Sequence, residues 1–178
     1  MRFVATPLRG AFVVEVEANR DVRGFFARSF CAQEFAAAGL ETSFAQCNVS
    51  FSLKRGTLRG LHWQKIPHEE VKLVRCTRGA VWDVIVDLRV DSPTLHRWFG
   101  VELDQDSRRA IYVPRGFAHG FQTLTDDAEV FYQMSEPYCP DAAQGARYDD
   151  PTFAIEWPVS DPIVLARDAV WPLVGAVT

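Results

Sequence analysis

The feature that most constrains this chain is a hydrophobic period of two residues rather than 3.6. Seven segments are typical of strands, either because apolar and polar residues alternate or because the run is almost wholly apolar: residues 11–17, 44–51, 71–77, 81–88, 97–103, 110–113 and 128–134. Gly, Asp and Ser clusters between them have the composition of turns. Short strands at this spacing predict an all-β fold, an antiparallel sandwich or barrel.

Two segments depart from this alternation. Residues 32–38 are rich in helix formers and end at Gly39, a residue type that terminates helices. A second, shorter helix or turn is expected near residues 166–170. Because no proline- or serine-rich linker divides the chain, we expect a single domain over residues 1–178.

The composition excludes two classes of partner. Lys and Arg total 19 against 23 Asp and Glu, a net charge of −4, whereas modules that bind nucleic acid usually carry a basic excess. No apolar run reaches the length of a membrane span, and the chain starts without a signal-peptide pattern. We therefore expect a cytoplasmic protein whose four cysteines are reduced and mostly buried.

Polar residues are prominent in two predicted strands, one over residues 58–64 and one over residues 81–88. Strict alternation places Arg59 and Leu61 on one face of their strand and His62 and Gln64 on the other. Asp83 lies within an otherwise apolar run. Because an isolated buried charge is very costly, we expect Asp83 to have a partner inside the fold.

Residues 114–120 carry the most specific local motif, P-x-G-x-x-H. It is the second motif of the cupin superfamily of small β-barrels. In metal-binding cupins this histidine, here His119, joins an H-x-H pair and a glutamate. The corresponding place reads His62-Trp63-Gln64, so one ligand is missing. With Glu70 as the carboxylate, the set is incomplete, and we predict no metal site.

Further motifs follow one another from about Leu8 to Leu173. They are Asp21-Val22-Arg23-Gly24-Phe25-Phe26, Gln46-Cys47-Asn48-Val49-Ser50, Gly56-Thr57-Leu58-Arg59-Gly60-Leu61-His62-Trp63-Gln64, Lys72-Leu73-Val74, Asp83-Val84-Ile85-Val86-Asp87-Leu88-Arg89, Ser92-Pro93, Val113 to Phe121, Tyr132, Tyr138, Asp149-Asp150-Pro151, Ile155, Trp157-Pro158 and Asp168. In this order they resemble the dTDP-4-dehydrorhamnose 3,5-epimerase family.

The resemblance implies a fold and a reaction. The fold is a cupin-type double-stranded β-helix, or jelly roll, with one or two short helices. Members of the family use no metal or other cofactor and are usually homodimers. Their substrates are nucleotide-diphosphate 4-keto-6-deoxy sugars. The C3 and C5 protons of such a sugar are acidic because removing either gives an enolate that is delocalised onto the C4 oxygen.

The resemblance also implies the site residues. His62 is the base and Asp168 orients it, Lys72 stabilises the enolate, and Tyr132 is the opposing acid. Asp83 supports the site. The substrate-binding residues implied are Arg23, Phe26, Gln46, Asn48, Arg59, His119 and Tyr138. In the family, the segment with Arg23 and Phe26 reaches the site of the partner subunit.

Three departures from the family pattern leave the nucleobase open. Arg28 stands where the family usually has Glu, Glu70 where it commonly has Gln, and residues 147–151 read Arg-Tyr-Asp-Asp-Pro instead of ending in Trp-Asn-Asp-Pro. The alternative within this chemistry is an epimerase that acts only at C3 or only at C5 of a related nucleotide sugar. From other classes, the alternatives are a metal-dependent cupin oxygenase and a non-catalytic cupin that binds sugar nucleotides.

Overall fold

The computed structural model describes residues 1–174 and consists mainly of β-strands. The strands are β1 (Arg2–Ala5), β2 (Phe12–Glu15), β3 (Ala18–Asp21), β4 (Gly24–Ala27), β5 (Gln46–Ser52), β6 (Thr57–Gln64), β7 (Lys72–Arg78), β8 (Ala80–Asp87), β9 (Trp98–Asp104), β10 (Ala110–Val113), β11 (Phe117–Thr123), β12 (Ala128–Met134), β13 (Ala143–Gly145) and β14 (Ile163–Val164). The helices are α1 (Ala32–Ala37) and α2 (Ala166–Ala169), and Pro140–Ala142 forms a 3₁₀ turn.

The strands form two facing sheets and a separate hairpin. The first sheet has the order β1-β2-β10-β7-β12-β5 and the second has the order β13-β6-β11-β8-β9, with β14 alongside β6. Strands β3 and β4 pair only with each other. Except for β14 with β6, the pairings are antiparallel. The prediction of an all-β jelly roll with one or two short helices is confirmed. Neither described helix is long and apolar enough to cross a membrane.

Apolar side chains fill the space between the sheets and cover their outer faces. Val74 and Ile85 belong to the cluster between the sheets. Phe35 of α1 packs with Leu73 on the outer face of the first sheet. A third cluster, which includes Phe153, covers the outside of the second sheet. Because both faces of the central strands are buried, their sequences are largely apolar, and a polar residue on an inner face stands out.

Strand β6 breaks the alternation that the sequence predicts. Arg59 lies opposite Phe121 of β11, and His62 lies opposite His119. Three steps along β6 therefore correspond to two steps along β11, which is a β-bulge. Because residues 119 and 121 share the inner face, Arg59 and His62 share it too. The prediction that they lie on opposite faces is wrong because the bulge inserts one residue.

Two glycines allow the close approach of β6 and β11 at this bulge. A Cβ atom on Gly60 would lie 2.6 Å from Cα of Gly120 and 2.9 Å from the carbonyl oxygen of His119. A Cβ atom on Gly120 would lie 2.8 Å from the carbonyl oxygen of Arg59. Gly60 also has a φ of +124°, which disfavours other residues. The bulge therefore depends on glycine in both strands.

The cysteines are free thiols with different exposures. Cys76 is buried, Cys31 and Cys139 are partly buried, and Cys47 is exposed. The prediction that they are mostly buried is wrong. Cys47 points outward because its neighbours in β5 turn their polar side chains inward.

We expect Gly60→Ala to destabilise the fold more than Gly39→Ala does. Both glycines have positive φ, but a Cβ atom on Gly39 meets nothing within 4 Å. Gly39→Ala should therefore reduce the free energy of unfolding only by the cost of holding alanine at a positive φ, about 1–2 kcal/mol. Gly60→Ala adds the collision with β11, about 1–3 kcal/mol more. Urea unfolding measures both changes, and equal losses would contradict a tight contact at the bulge.

Candidate active site

Polar side chains from both sheets and from α2 meet on the inner side of the barrel. Their positions follow from the strand registers, which place the paired residues of neighbouring strands on the same face. The inward residues are His62 of β6, Lys72 of β7, Asp83 of β8, His119 of β11, Tyr132 of β12 and Asn48 of β5, and Asp168 of α2 joins them. These residues form the candidate active site.

His62 and Asp168 form a hydrogen-bonded pair. Nε2 of His62 lies 2.9 Å from Oδ1 of Asp168, and Oδ2 accepts the backbone N–H of Gly60 at 3.3 Å. The carboxylate is 4% exposed, whereas the imidazole is 33% exposed. Burial disfavours the charged carboxylate, but the bonds from His62 and Gly60 outweigh it and hold the pKa of Asp168 below its ordinary value.

The C-terminal segment places Asp168 against β6. Strand β14 runs parallel to β6, with Ile163 opposite Thr57. The carboxylate of buried Asp150 accepts the backbone N–H of Val174 at 2.6 Å. Asp168 therefore enters the site from a segment that is held on both sides of α2.

A second histidine–carboxylate pair lies deeper in the barrel. Nε2 of His119 lies 3.0 and 2.9 Å from the two carboxylate oxygens of Asp83. Asp83 is fully buried, and this burial raises its pKa, although His119 and Lys72 both favour the charged form. The prediction that Asp83 has a partner is confirmed.

Lys72 has a carboxylate partner that the sequence reasoning missed. Its Nζ atom lies 2.9 Å from Oε1 of Glu70 and donates to the carbonyl oxygen of His62 at 3.1 Å. The second oxygen of Glu70 accepts the backbone N–H of Gln64 at 3.2 Å. The signal for this pair was present in the sequence, since Glu70 and Lys72 are two residues apart at the start of β7.

The three residues that sequence analysis considered as an incomplete metal site do not form one in the structure. His62, Glu70 and His119 are each held by a different partner, as described above. Within residues 1–174, no group of three His, Cys, Asp or Glu side chains is arranged to hold a metal ion.

Tyr132 faces the site from the opposite sheet. Burial raises the pKa of its phenol, nearby Arg59 lowers it, and Glu70 raises it. Arg59 is held in place by Ser52 Oγ at 3.3 Å and by the carbonyl oxygen of Phe51 at 3.0 Å. The pKa of the phenol is therefore affected by one positive and one negative side chain in opposite directions.

Amide side chains arrange the rim of the site. Oε1 of Gln46 accepts the backbone N–H of Tyr138 at 2.7 Å, and Nε2 donates to Asn48 at 3.2 Å. Gln64, another residue that the sequence reasoning missed, accepts the backbone N–H of Cys139 at 2.6 Å. Its sequence signal was a glutamine at the place of a metal-binding histidine. These contacts fix the backbone beneath the half-exposed ring of Tyr138.

Two predicted binding residues do not join the site within one chain. Arg23 and Phe26 belong to the β3–β4 hairpin, where Arg23 is paired with Asp21 at 2.6 Å. Their side chains are largely exposed. The other predicted site residues lie in or around the barrel.

A separate cleft contains none of the predicted site residues. It has a volume of about 790 Å³ and lies between the β6–β7 and β8–β9 connections, with Trp63 and Arg89 in its wall. Arg89 is already bound to Asp87 by a 2.7 Å ion pair. The histidine, lysine and tyrosine of the barrel interior therefore define the candidate active site, and this outer cleft does not.

The arrangement suits proton transfer next to a developing negative charge. A histidine held by a carboxylate can act as a base, a lysine can stabilise an oxyanion, and a tyrosine in the facing sheet can donate a proton. A ligand between the sheets would have the base on one side and the acid on the other.

Comparisons with known proteins agree with the resemblance in the motifs. A family model described as dTDP-4-dehydrorhamnose 3,5-epimerase matches residues 5–175. The dTDP-4-dehydrorhamnose 3,5-epimerase of Methanothermobacter thermautotrophicus is 44% identical over 173 residues, which are 96% of this chain and 92% of that protein. A dTDP-4-dehydrorhamnose 3-epimerase of Streptomyces niveus is 41% identical over 169 residues, 94% of this chain and 81% of that protein.

A solved structure extends this agreement to the fold. The dTDP-6-deoxy-D-glucose-3,5-epimerase of Legionella pneumophila, in complex with dTDP-4-keto-L-rhamnose, has a TM-score of 0.93 to this chain at 35% identity. The match covers 99% of this chain and 94% of that one.

The Asp168 pair predicts a pH-dependent loss of stability. Because the folded-state pKa of Asp168 is lowered, its ionised form stabilises the fold above the unfolded-state pKa of about 4, and this contribution is lost as the pH falls through the folded-state value. We expect Asp168→Asn to lower the free energy of unfolding by about 1–3 kcal/mol at neutral pH. The difference from the unmodified protein should shrink in acid, as measured by urea unfolding at several pH values.

Asp149→Asn is the matched control for this measurement. Asp149 also has a lowered pKa and an arginine partner, Arg147 at 2.6 Å, but both side chains are about 40% exposed. Its loss should stay below about 1 kcal/mol. A loss for Asp168→Asn that does not change with pH would contradict the ionic contribution.

Proposed function

This chain belongs to the dTDP-4-dehydrorhamnose 3,5-epimerase family, and we propose that it epimerises a dTDP-linked 4-keto-6-deoxy sugar. The observation that carries the proposal is the pair of His62 and Asp168 facing Tyr132 across the barrel, with the ammonium of Lys72 close to His62. The names of the relatives support dTDP as the nucleotide and a 4-keto sugar as the reacting group.

In the first step, His62 removes a proton beside the ketone. Its Nε2 atom is engaged by Asp168, so Nδ1 is the nitrogen available to the substrate. The C–H electron pair moves into a C=C bond, and the ketone oxygen becomes an enolate oxygen. Asp168 stabilises the imidazolium that results.

Lys72 stabilises the enolate. An ammonium group has three N–H donors, and Glu70 and the carbonyl oxygen of His62 accept two of them. The third remains for the C4 oxygen. A fixed cation inside the barrel is worth more to the developing charge than one in water.

In the second step, Tyr132 returns a proton from the opposite face. The phenol gives its proton to the carbon, the C=C bond of the enolate is lost, and the ketone is restored. Tyr132 is left as tyrosinate and His62 as imidazolium. Exchange with water then returns a proton to the tyrosinate and removes one from the imidazolium, so no proton is gained or lost overall.

The diphosphate and the nucleoside bind outside this reacting centre. Arg59 is the proposed cation of this chain, Gln46 and Asn48 are neutral donors, and the exposed ring of Tyr138 offers a surface for a base. His119, with its ring held by Asp83, completes the proposed binding set.

We also propose that the chain acts as a cytoplasmic homodimer in which the β3–β4 hairpin completes the partner's site. Edge strand β5 carries an outward row that includes Val49 and Phe51, 62% and 41% exposed. The buried Nε atom of Arg75 has no hydrogen-bond partner within residues 1–174. Arg23 and Phe26 of the hairpin are also exposed. A second copy would cover these groups, and the free cysteines suit a reducing compartment.

An epimerase that acts at C3 alone is the second candidate. The relative from Streptomyces niveus, at 41% identity, is named a 3-epimerase. The same base serves C3 and C5, so the outcome depends on how the sugar ring turns between the two residues.

Deuterium exchange should separate the base from the acid. We expect His62→Asn to lose both epimerisation and exchange of the C3 and C5 protons by about 10²–10⁴-fold, because no enolate forms without the base. Tyr132→Phe should still exchange with retention, while inverted product falls sharply. NMR of dTDP-4-keto-6-deoxyglucose in deuterated water measures both, and the position of exchange distinguishes the C3-only candidate.

His68→Asn is the matched control for the base. His68 is an exposed histidine in the loop after β6, and its exchange rate should equal that of the unmodified protein. Near-normal exchange in folded His62→Asn would show that His62 is a structural histidine instead.

The hairpin proposal predicts that Arg23→Ala weakens nucleotide binding without unfolding the barrel. Arg147→Ala is the matched control, since Arg147 also binds a carboxylate two residues away at 2.6 Å. Loss of one charge-assisted contact to a phosphate should weaken dTDP binding by about 10-fold. Calorimetry measures the affinity, and an active monomer in solution scattering would contradict a shared site.

A further inference from the structure

The proposed reaction uses Lys72 but gives no role to the carboxylate beside it. Glu70 and Lys72 are 4% and 9% exposed, and their charged atoms are 2.9 Å apart. Removing two charges from water costs several kcal/mol each, so a buried pair does not by itself stabilise a fold. A carboxylate at this distance also offsets the positive charge that would stabilise an enolate. The pair therefore needs a reason other than stability.

One reason for a carboxylate at this position is that it fixes the direction of the Lys72 ammonium. A lysine side chain has four carbons and three rotatable donors, so its position is defined only by its partners. Glu70 and the carbonyl oxygen of His62 take two of these donors. Glu70 is itself fixed, because its other oxygen accepts the backbone N–H of Gln64. This chain of contacts aims the remaining donor of Lys72 along one direction.

A second reason for a carboxylate at this position is that it keeps Tyr132 protonated. Tyr132 lies opposite Val74 of β7, on the same inner face as Lys72, so the Lys72–Glu70 pair lies beside it. The charged side chains that act on this phenol are Arg59 of β6 and Glu70, while its neighbour in β5, Asn48, is neutral. Arg59 favours the tyrosinate and Glu70 favours the phenol. Burial adds to the effect of Glu70.

We propose that Glu70 is a positioning residue of this epimerase, which aims Lys72 at the ketone oxygen and keeps the proton on Tyr132 until the enolate takes it. This inference rests on the proposed function. It explains why a buried carboxylate lies next to the cation of the site: orientation of the lysine and retention of the acid are obtained from one side chain.

The two effects can be separated by two substitutions. Glu70→Ala removes both the acceptor for Lys72 and the negative charge. Glu70→Gln keeps an acceptor oxygen for Lys72 and removes only the charge. Glu69→Gln is the matched control, because it removes a charge one residue away, where the side chain lines the separate outer cleft.

For Lys72, the expected result is a change in kcat with little change in KM. Glu70→Ala should lower kcat at least 10-fold while KM stays within about 3-fold, because the groups proposed for the diphosphate are untouched. Glu70→Gln should restore kcat to within about 3-fold of the unmodified protein. A folded Glu70→Ala protein with unchanged kcat overturns the proposal.

For Tyr132, the expected result is a shift in its own titration. Tyrosinate absorbance is recorded against pH for the protein with Tyr132 and for its Tyr132→Phe counterpart, and the difference isolates this residue. Glu70→Gln should move the midpoint down by about one pH unit, because the negative charge that favours the phenol is gone. Glu69→Gln should leave it in place.

An unchanged midpoint in folded Glu70→Gln also overturns the proposal. The titration needs no substrate, so its result is independent of the epimerase assay. If the unmodified protein does not turn over the nucleotide sugar, the proposed function fails, and the midpoint still decides whether Glu70 controls the proton on Tyr132.

Discussion

Three basic side chains inside the barrel each require a buried carboxylate. The pairs are His62–Asp168, His119–Asp83 and Lys72–Glu70. An unpaired charge in this interior would cost several kcal/mol, which is comparable to the net stability of a domain. These three groups can therefore lie between the two sheets because each is matched by a carboxylate. The same pairing fixes their positions, since each basic group has a partner within 3 Å.

This requirement links segments that are far apart in the sequence. Asp168 reaches His62 across 106 residues, and its other oxygen binds the backbone of β6 at Gly60. The bulge at Gly60 turns Arg59 and His62 to the same side, and the parallel pairing of β14 with β6 brings α2 alongside. The site is consequently complete only when the barrel has closed and the C-terminal segment has docked. Its contacts are non-local, as is typical of folds built from paired strands.

The sequence predicted the parts of the fold that have a buried face. The segments at residues 110–113 and 128–134 coincide with β10 and β12, because the first is apolar throughout and buried on both faces and the second alternates with the core on one face. Strands β3 and β4 were not predicted, since they are almost wholly exposed and have no apolar period to detect. Alternation also failed at the bulge in β6, where one extra residue changes the face without leaving a mark in the hydrophobic pattern.

The sequence predicted the main residues of the site but not all of their partners. The family motifs name His62, Lys72 and Tyr132, and the structure brings all three to the interior. The partnership of Glu70 with Lys72 was missed because a charge pair two residues apart also occurs on exposed strands, and only burial makes it significant. Arg23 lies away from the site in the single chain, and only the proposed dimer would bring it to a site, that of the partner.

Charge conservation explains how paired groups can still serve the proposed reaction. Transfer of a proton from the sugar to His62 creates an imidazolium and an enolate, so the net charge between the sheets does not change, but opposite charges become separated. Stabilisation therefore depends on a fixed partner at each end, Asp168 for the imidazolium and Lys72 for the enolate. When Tyr132 gives up its proton, the negative charge moves to the phenol oxygen, where Arg59 opposes the effect of burial. Each position that the charge occupies thus has a counter-charge already in place, and the hydrogen-bonded pairs of the resting site provide these counter-charges without leaving an isolated charge in the core.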